Sequence, residues 1–216
     1  MRYFQRTFHK MPKLEIPRKA VYRLSLYYRA LQRLKGNAVE TVSSAALAKV
    51  AGVKPTQLRK DLAYFGQLGT RGLGYSVAHL AQTLREALGT ARLQPVILIG
   101  VGHLGSALVR YRGFEKEGFE IVAGFDADAE SIRRDELGLP VLPMTQLRSF
   151  IQDRQVKLAI LTLPVTVAQE VTNSLVENGI QAILNFAPTV LQVPDGVVVN
   201  NVDLAIELEN LSYFIR

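Results

Sequence analysis

Val96-Ile97-Leu98-Ile99-Gly100-Val101-Gly102-His103-Leu104-Gly105-Ser106-Ala107-Leu108-Val109-Arg110 decides the fold. The run from Val96 to Ile99 is short and apolar, the signature of a strand buried on both faces of a parallel sheet. It passes straight into three glycines spaced as Gly100, Gly102 and Gly105, and then into a helical segment. Each glycine has a mechanical reason: a tight turn, room for a pyrophosphate at the backbone, and close packing of helix on strand. Free N–H groups at the start of the helix suit phosphate oxygens. The loop residues Gly100, Val101, Gly102, His103, Leu104 and Gly105 are therefore expected to hold a dinucleotide.

Working outward, the next apolar run, Glu120 to Asp126, ends in a carboxylate about 20 residues past the third glycine, where ribose hydroxyls are bound. Asp126 and Asp128 repel a 2′-phosphate, which favours NAD over NADP; a turn or cap role for Asp126 is the structural alternative. A short strand near Val141, a helix around Gln146–Asp153, a strand from Leu158 to Leu163, a helix from Pro164 to Asn178, and strands at Ile180–Leu184 and Val197–Val199 continue a βαβ alternation. The expected fold class is α/β, a Rossmann-like doubly wound parallel sheet over residues 91–200. Thr162, Leu163, Pro164, Asn185, Ala187 and Pro188, at strand ends, would face the nucleotide crevice. Their prolines serve equally well as helix-start and loop punctuation.

The segment before this sheet differs in charge. Residues 1–75 carry 15 Lys and Arg against Glu15, Glu40 and Asp61, a net of +12, whereas the rest nets −5 within a total of +7. Such asymmetry is the footprint of a polyanion-binding module joined to a neutral or acidic one. Pro17 opens a helix whose apolar residues Val21, Leu24, Tyr28, Leu31 and Leu34 recur at three- and four-residue spacing, ending at Gly36 and Asn37. A second helix starts at the capping pair Ser43-Ser44 and is expected to bury Leu47 and Val50 before Gly52 turns the chain. Pro55 begins a third, with Leu58, Leu62 and Phe65 inward. Thr56, Gln57, Lys60 and Tyr64 fall on its outward face, with Arg59 at the flank.

Short helix, glycine turn and polar second helix form a helix-turn-helix, whose second helix fits the major groove. Gln reads adenine there, and Arg or Lys reads guanine or grips phosphate. The glycine-rich stretch Gly66 to Tyr75 suits a wing, with Arg71 and Gly72 at the DNA backbone. The expected DNA-binding residues are Ser43, Thr56, Gln57, Arg59, Lys60, Tyr64, Gly66, Arg71 and Gly72, within a winged-helix domain at 16–90 closed by a helix capped by Ser76. An all-helical protein-interaction domain is the bland alternative, and the charge count speaks against it.

Composition excludes several classes. There is no cysteine and there are only three well-separated histidines, so disulfides, thiolate catalysis and a metal centre are not expected. No apolar run matches a membrane span, and residues 1–13 lack the apolar stretch of a secretory signal, so a cytoplasmic location is expected. A dehydrogenase needs a substrate pocket and a proton-transfer group beside the nicotinamide. Only about one helix follows the sheet, too little for the roughly 50-residue minimum of a further domain, and His103 sits inside the phosphate loop. The chain reads as a ligand-controlled regulator, not an enzyme. The final segment, 201–216, carries Leu204, Ile206, Leu208, Leu211, Phe214 and Ile215 on more than one stripe. Such a helix wants burial on several sides, by exchange in a homodimer or by docking on its own sheet.

The chain resembles the Rex family of bacterial redox-sensing repressors from about Ile16 to its C-terminus. The resemblance rests on Leu24-Ser25-Leu26-Tyr27-Tyr28-Arg29, Val42-Ser43-Ser44, Leu58 to Gly66, Gly72-Leu73-Gly74-Tyr75, Gly100 to Gly105, Ile183 to Pro188 and Val202-Asp203. It implies a homodimer with swapped C-terminal helices, bound to pseudo-palindromic double-stranded operators of genes for NADH reoxidation and fermentation. It further implies release from DNA by NADH, with NAD+ competing and favouring the DNA-bound state. The family's switch residues correspond to Arg29, Tyr111 and Asp203. Arg29 would pair with the partner subunit's Asp203, and Tyr111 would respond to the nicotinamide. Residues 1–15 form a basic extension beyond the family's usual start. A CoA-binding regulator, a small dehydrogenase and a constitutive DNA-binding protein are the rival readings.

Overall fold

The computed structural model describes residues 16–130 and 137–215. The basic extension 1–15 lies outside them. The chain divides into two compact units, with the division in sequence between Ala91 and Arg92.

The first unit contains α1 (Arg18–Gly36), β1 (Thr41–Val42), α2 (Ser44–Ala51), α3 (Pro55–Leu62), a 3-10 turn (Ala63–Phe65), β2 (Gly69–Thr70), β3 (Gly74–Ser76) and α4 (Val77–Ala87). The strands pair antiparallel in the order β1-β3-β2. Leu24, Tyr27, Leu31, Leu47, Leu58, Leu62, Leu80 and Leu84 close a single core beneath the helices. Ser43 caps α2 by accepting from Ala46 N–H, and Ser76 caps α4 by accepting from His79 N–H. Gly52 ends α2 in the left-handed region, φ +70°. Two expectations fail here. On α1, Val21 is exposed, and Tyr27, outside the expected stripe, is fully buried. On α2, Val50 is exposed, and Ala48 takes the buried place beside Leu47. The inward stripe of this eight-residue helix runs Leu47, Ala48, Ala51, and Val50 lies roughly 100° round from Ala51. Phe65, expected inward, is half-buried in the 3-10 turn that follows α3.

The second unit is a six-stranded parallel sheet in the order β6-β5-β4-β7-β8-β9. It consists of β4 (Gln94–Ile99), α5 (His103–Val109), α6 (Gly113–Lys116), β5 (Phe119–Asp126), β6 (Val141–Pro143), α7 (Leu147–Arg154), β7 (Leu158–Leu161), α8 (Val165–Glu177), β8 (Ala182–Asn185), β9 (Val198–Asn201) and α9 (Leu204–Tyr213). Strand β4 is central, and its alternation assigns Ile97 and Ile99 to one core and Val96 and Leu98 to the other. The first core includes residues of α7 and α8, and the second those of α5 and α6. Burial on both faces is why this strand reads as an unbroken apolar run.

Several boundaries differ from expectation: β8 runs from Ala182 to Asn185 and β9 from Val198 to Asn201. β7 ends at Leu161, so Thr162 and Leu163 belong to the turn after it. The alternation also stops at the last crossover: β8 reaches β9 through 186–197 without a helix. Pro188, Pro194 and Gly196 oppose a helix there. Side-chain amides supply the order instead, with Asn185 donating to the carbonyls of Ala187 and Thr189, and Gln169 exchanging two bonds with the backbone of Gln192. No helix among the described residues is long and apolar enough to cross a membrane.

Candidate nucleotide crevice and nucleic-acid interface

The turn from β4 into α5 is built by contacts that leave no room for side chains at two of its glycines. Gly100 sits at φ +90°, and a Cβ there would lie 2.6 Å from the carbonyl oxygen of Thr162. A Cβ on Gly105 would strike the carbonyl of Gly100. Gly102 is different: its φ is −73° and a Cβ there would meet nothing within 4 Å. The protein itself makes no demand for glycine at this exposed position, so the open space above it fits a bound group that approaches the backbone closely. The first N–H groups of α5 have no acceptor within the helix, and no side chain caps it. Gly102, His103 and Leu104 face outward, whereas Val101 and Gly105 are buried.

Polar side chains lock this loop to its neighbours. Thr162 Oγ1 donates to the Gly100 carbonyl at 2.5 Å, beside a 3.2 Å contact with that of Ile99. Asp126 accepts from Val101 N–H at 2.7 Å through Oδ2 and from Asp128 N–H at 3.0 Å through Oδ1. The turn role thus accompanies any ribose contact, for which each carboxylate oxygen retains a lone pair. It also takes the Val101 N–H away from the phosphates. A cleft of about 360 Å³ adjoins this corner, lined by Asp128, Ala129, Leu142 and Pro143 among others. Pro164 caps α8 from an exposed position, and Pro188 is exposed as well. Asn185 and Ala187 depart from the expected exposure. Asn185 is fully buried, accepting from Ala187 N–H and donating to two carbonyls and to Asn201, and Ala187 is 4% exposed.

In the first unit, Thr56, Arg59 and Lys60 lie exposed on α3, and Tyr64 is half-buried in the following turn. Arg59 donates to Ser44 Oγ at 3.0 Å, tying α3 to the start of α2. Ser43 is exposed at the α2 cap. Beyond Gly66, β2 and β3 form a hairpin whose tip exposes Arg71, Gly72 and Leu73, closed by Leu73 N–H on the Thr70 carbonyl. Gln57 departs from the outward face expected for it. It is half-buried, and its Nε2 donates to Asp61 Oδ1 at 2.8 Å.

Sequence reading missed the group that holds it. Asp61 is 1% exposed and receives Arg23 Nε at 2.6 Å, Arg23 Nη2 at 2.8 Å and the Tyr27 hydroxyl at 2.7 Å. Burial pushes its carboxyl up, but the bonds from Arg23, Tyr27 and Gln57 outweigh that and leave it below the usual aspartate range. Burial, followed by the bond to Asp61, raises the Tyr27 phenol. The available signal was an acid one turn after Gln57 in a basic segment, with Arg23 and Tyr27 four apart on α1.

Comparison with known proteins agrees with this geometry. The family model "Putative DNA-binding protein N-terminus" matches residues 15–63, and "CoA binding domain" matches 92–189. The redox-sensing transcriptional repressor Rex of Pelotomaculum thermopropionicum is 45% identical over 203 residues, covering 94% of this chain and 95% of that protein. That of Streptomyces coelicolor is 46% identical, covering 92% of this chain and 77% of that protein. The chain belongs to the Rex family of redox-sensing transcriptional repressors.

Rex proteins are repressors rather than enzymes. Among solved structures, the Rex-family repressor RSP in complex with β-NAD+ and operator DNA matches with a TM-score of 0.86 and 36% identity, over 93% of this chain and 92% of that one. RSP in complex with β-NADH matches with 0.82 and 34%, over 94% of this chain and 95% of that one. Arg29, Tyr111 and Asp203, the three residues expected to form a switch, are placed separately. Arg29 is exposed on α1. Tyr111 is 60% exposed between α5 and α6, its ring edge-on to Phe114 at 5.1 Å. Asp203 caps α9, its Oδ1 accepting from Ala205 and Ile206 N–H at 2.9 and 3.3 Å.

Proposed function

We propose that this chain represses transcription as a homodimer that reads pseudo-palindromic operator DNA and lets go when NADH replaces NAD+. Gly102, with the N–H groups of His103 and Leu104, takes the pyrophosphate, and Asp126 takes a ribose hydroxyl while holding Val101. Asp128 adds charge against a 2′-phosphate. Thr162, Leu163 and Pro164 between β7 and α8, and Pro188 after β8, border the nicotinamide side, with Gly100, Gly105, Asn185 and Ala187 shaping the walls. Thr56, Gln57, Arg59, Lys60, Tyr64 and Ser43 engage the major groove and its flanking phosphates, and Gly66, Arg71 and Gly72 belong to the wing.

The observation that carries the ligand assignment is the open Cβ position at Gly102, between two glycines that the protein needs for its own packing. Dimerisation is supported by α9: Leu204, Ile206, Leu208, Leu211, Phe214 and Ile215 are each at least 52% exposed in the single chain. That exposure speaks for a second copy as the cover rather than docking on its own sheet. In the dimer Arg29 pairs with the partner subunit's Asp203, whose Oδ2 is not used by the cap, and Tyr111 responds to the nicotinamide. Functional boundaries fall at 16–90 for DNA, 91–200 for the dinucleotide and 201–216 for dimerisation. The targets are genes for NADH reoxidation and fermentation, and the protein works in the cytoplasm.

The match to the CoA binding domain model favours a second ligand, CoA, in the same crevice. One experiment separates the readings. A duplex selected from a random pool is bound at fixed salt while NADH, NAD+ and CoA are titrated. Release by NADH at concentrations where NAD+ and CoA have no effect is expected. Release by CoA alone, or by none, overturns the proposal.

A further inference from the structure

The bond between Gln57 and Asp61 differs in kind from the others that Asp61 accepts. Arg23 and Tyr27 stand on α1, so their bonds tie two helices together and account for a buried carboxylate. Gln57 lies one turn earlier on the same helix as Asp61. Its bond joins no elements; it restrains only a side chain that stands between exposed Thr56 and buried Leu58, at the edge of the exposed face.

A primary amide has two ends, and an ionised carboxylate can only accept. The Nε2 end must therefore turn toward Asp61, which settles which way the amide faces. Pairing of glutamine with adenine uses the amide oxygen and one N–H side by side. If the other N–H is held by Asp61, that pair of groups remains together for a base edge. An unrestrained glutamine samples several rotamers and both amide orientations, and these must be ordered when DNA binds. We propose that Asp61 is a positioning residue for operator specificity, fixing the orientation in which Gln57 meets a base pair. The inference rests on the reading of α3 as the operator-reading helix.

The test compares binding of the full-length protein, saturated with NAD+, to a selected operator and to every single base-pair variant of it. Gln57→Ala should flatten the preference at one base pair in each half-site by about tenfold. In Asp61→Asn, Arg23 Nε and the Tyr27 hydroxyl hold the new amide's oxygen at the Oδ2 position, so its NH2 takes the Oδ1 position, where the Arg23 Nη2 bond is lost and the Gln57 amide turns round to accept. The preference should change at the same base pair and nowhere else, and the double variant should match Gln57→Ala alone. Tyr27→Phe should lower thermal stability and leave the base profile unchanged, which a merely structural Asp61 would not separate. A flattened profile in Gln57→Ala with a wild-type profile, or a uniform loss at all positions, in Asp61→Asn overturns the inference while keeping α3 as reader. No change of preference in either Gln57→Ala or Lys60→Ala overturns the reading beneath it. Should Asp61→Asn fail to fold, the side-chain 15N–1H pair assigned through Gln57→Ala decides in the wild type. One N–H protected from exchange is expected, and a freely exchanging, averaged pair overturns the inference.

Discussion

Gly102 and Gly105 are three residues apart in one loop and predict opposite outcomes when given side chains. Gly102→Val meets open space at an ordinary φ, so thermal stability should stay within about 2 °C of the parent while NADH affinity falls more than tenfold by calorimetry. Gly105→Ala drives a Cβ into backbone and should cost about 1–3 kcal/mol in denaturant unfolding. Asp61 predicts a pH dependence with a definite sign. Its folded carboxyl lies below its ordinary value of 3.8, so its contribution is fully present above that pH and is lost as pH falls through the lower, folded value. Asp61→Ala leaves Arg23 and Tyr27 without their acceptor and should cost about 3 kcal/mol at pH 7, a gap from the parent that narrows in acid below pH 3.8. The glycines were legible in the sequence because their spacing is local. Asp61 was not, because the partners that bury it, Tyr27 and Arg23, sit 34 and 38 residues away on a different helix. Asn185 was placed on the crevice side for a related reason: a strand-end position is readable, but that its amide turns inward to Ala187, Thr189 and Asn201 is set by the helix-free crossover.

At the scale of elements, the buried runs of β4 and β5 and most of the stripe of α1 were readable because each repeats its period over enough residues, whereas exposed Val21 and buried Tyr27 depart from that stripe. The eight-residue α2 was too short to reveal that Ala48, and not Val50, faces inward. The hairpin of β2 and β3 presents Arg71 at an exposed tip. Arg71→Ala should weaken binding to all duplexes alike and lower the slope of log affinity against log salt by about 1, the signature of one phosphate contact. Lost base discrimination without a change of slope would move Arg71 from the backbone to a base edge. Helix α9 supports a separate expectation. Leu208→Glu places a charge on a helix whose apolar residues are exposed all round, and sedimentation should then show monomer with the circular dichroism of the two units retained.

For the whole molecule, switching requires a differential free energy: NADH must favour the DNA-released dimer geometry over the DNA-bound one more strongly than NAD+ does, or no switching follows. Two half-sites roughly one DNA turn apart demand a fixed spacing of the two reading helices, so the geometry that NADH favours must break that spacing. The absence of cysteine makes a direct reading simple, since a single introduced thiol carries the only spin label. Ala78 is exposed on α4, within the DNA-reading unit and away from α3 and the wing tip in sequence. The measurement is the distance between labels on Ala78→Cys in the two subunits, by pulsed electron paramagnetic resonance, with saturating NAD+ and then with saturating NADH. A shift of several ångströms between the two cofactors, accompanied by loss of operator binding, is the predicted result. Identical distance distributions with both cofactors would contradict the coupling on which this account of the protein depends.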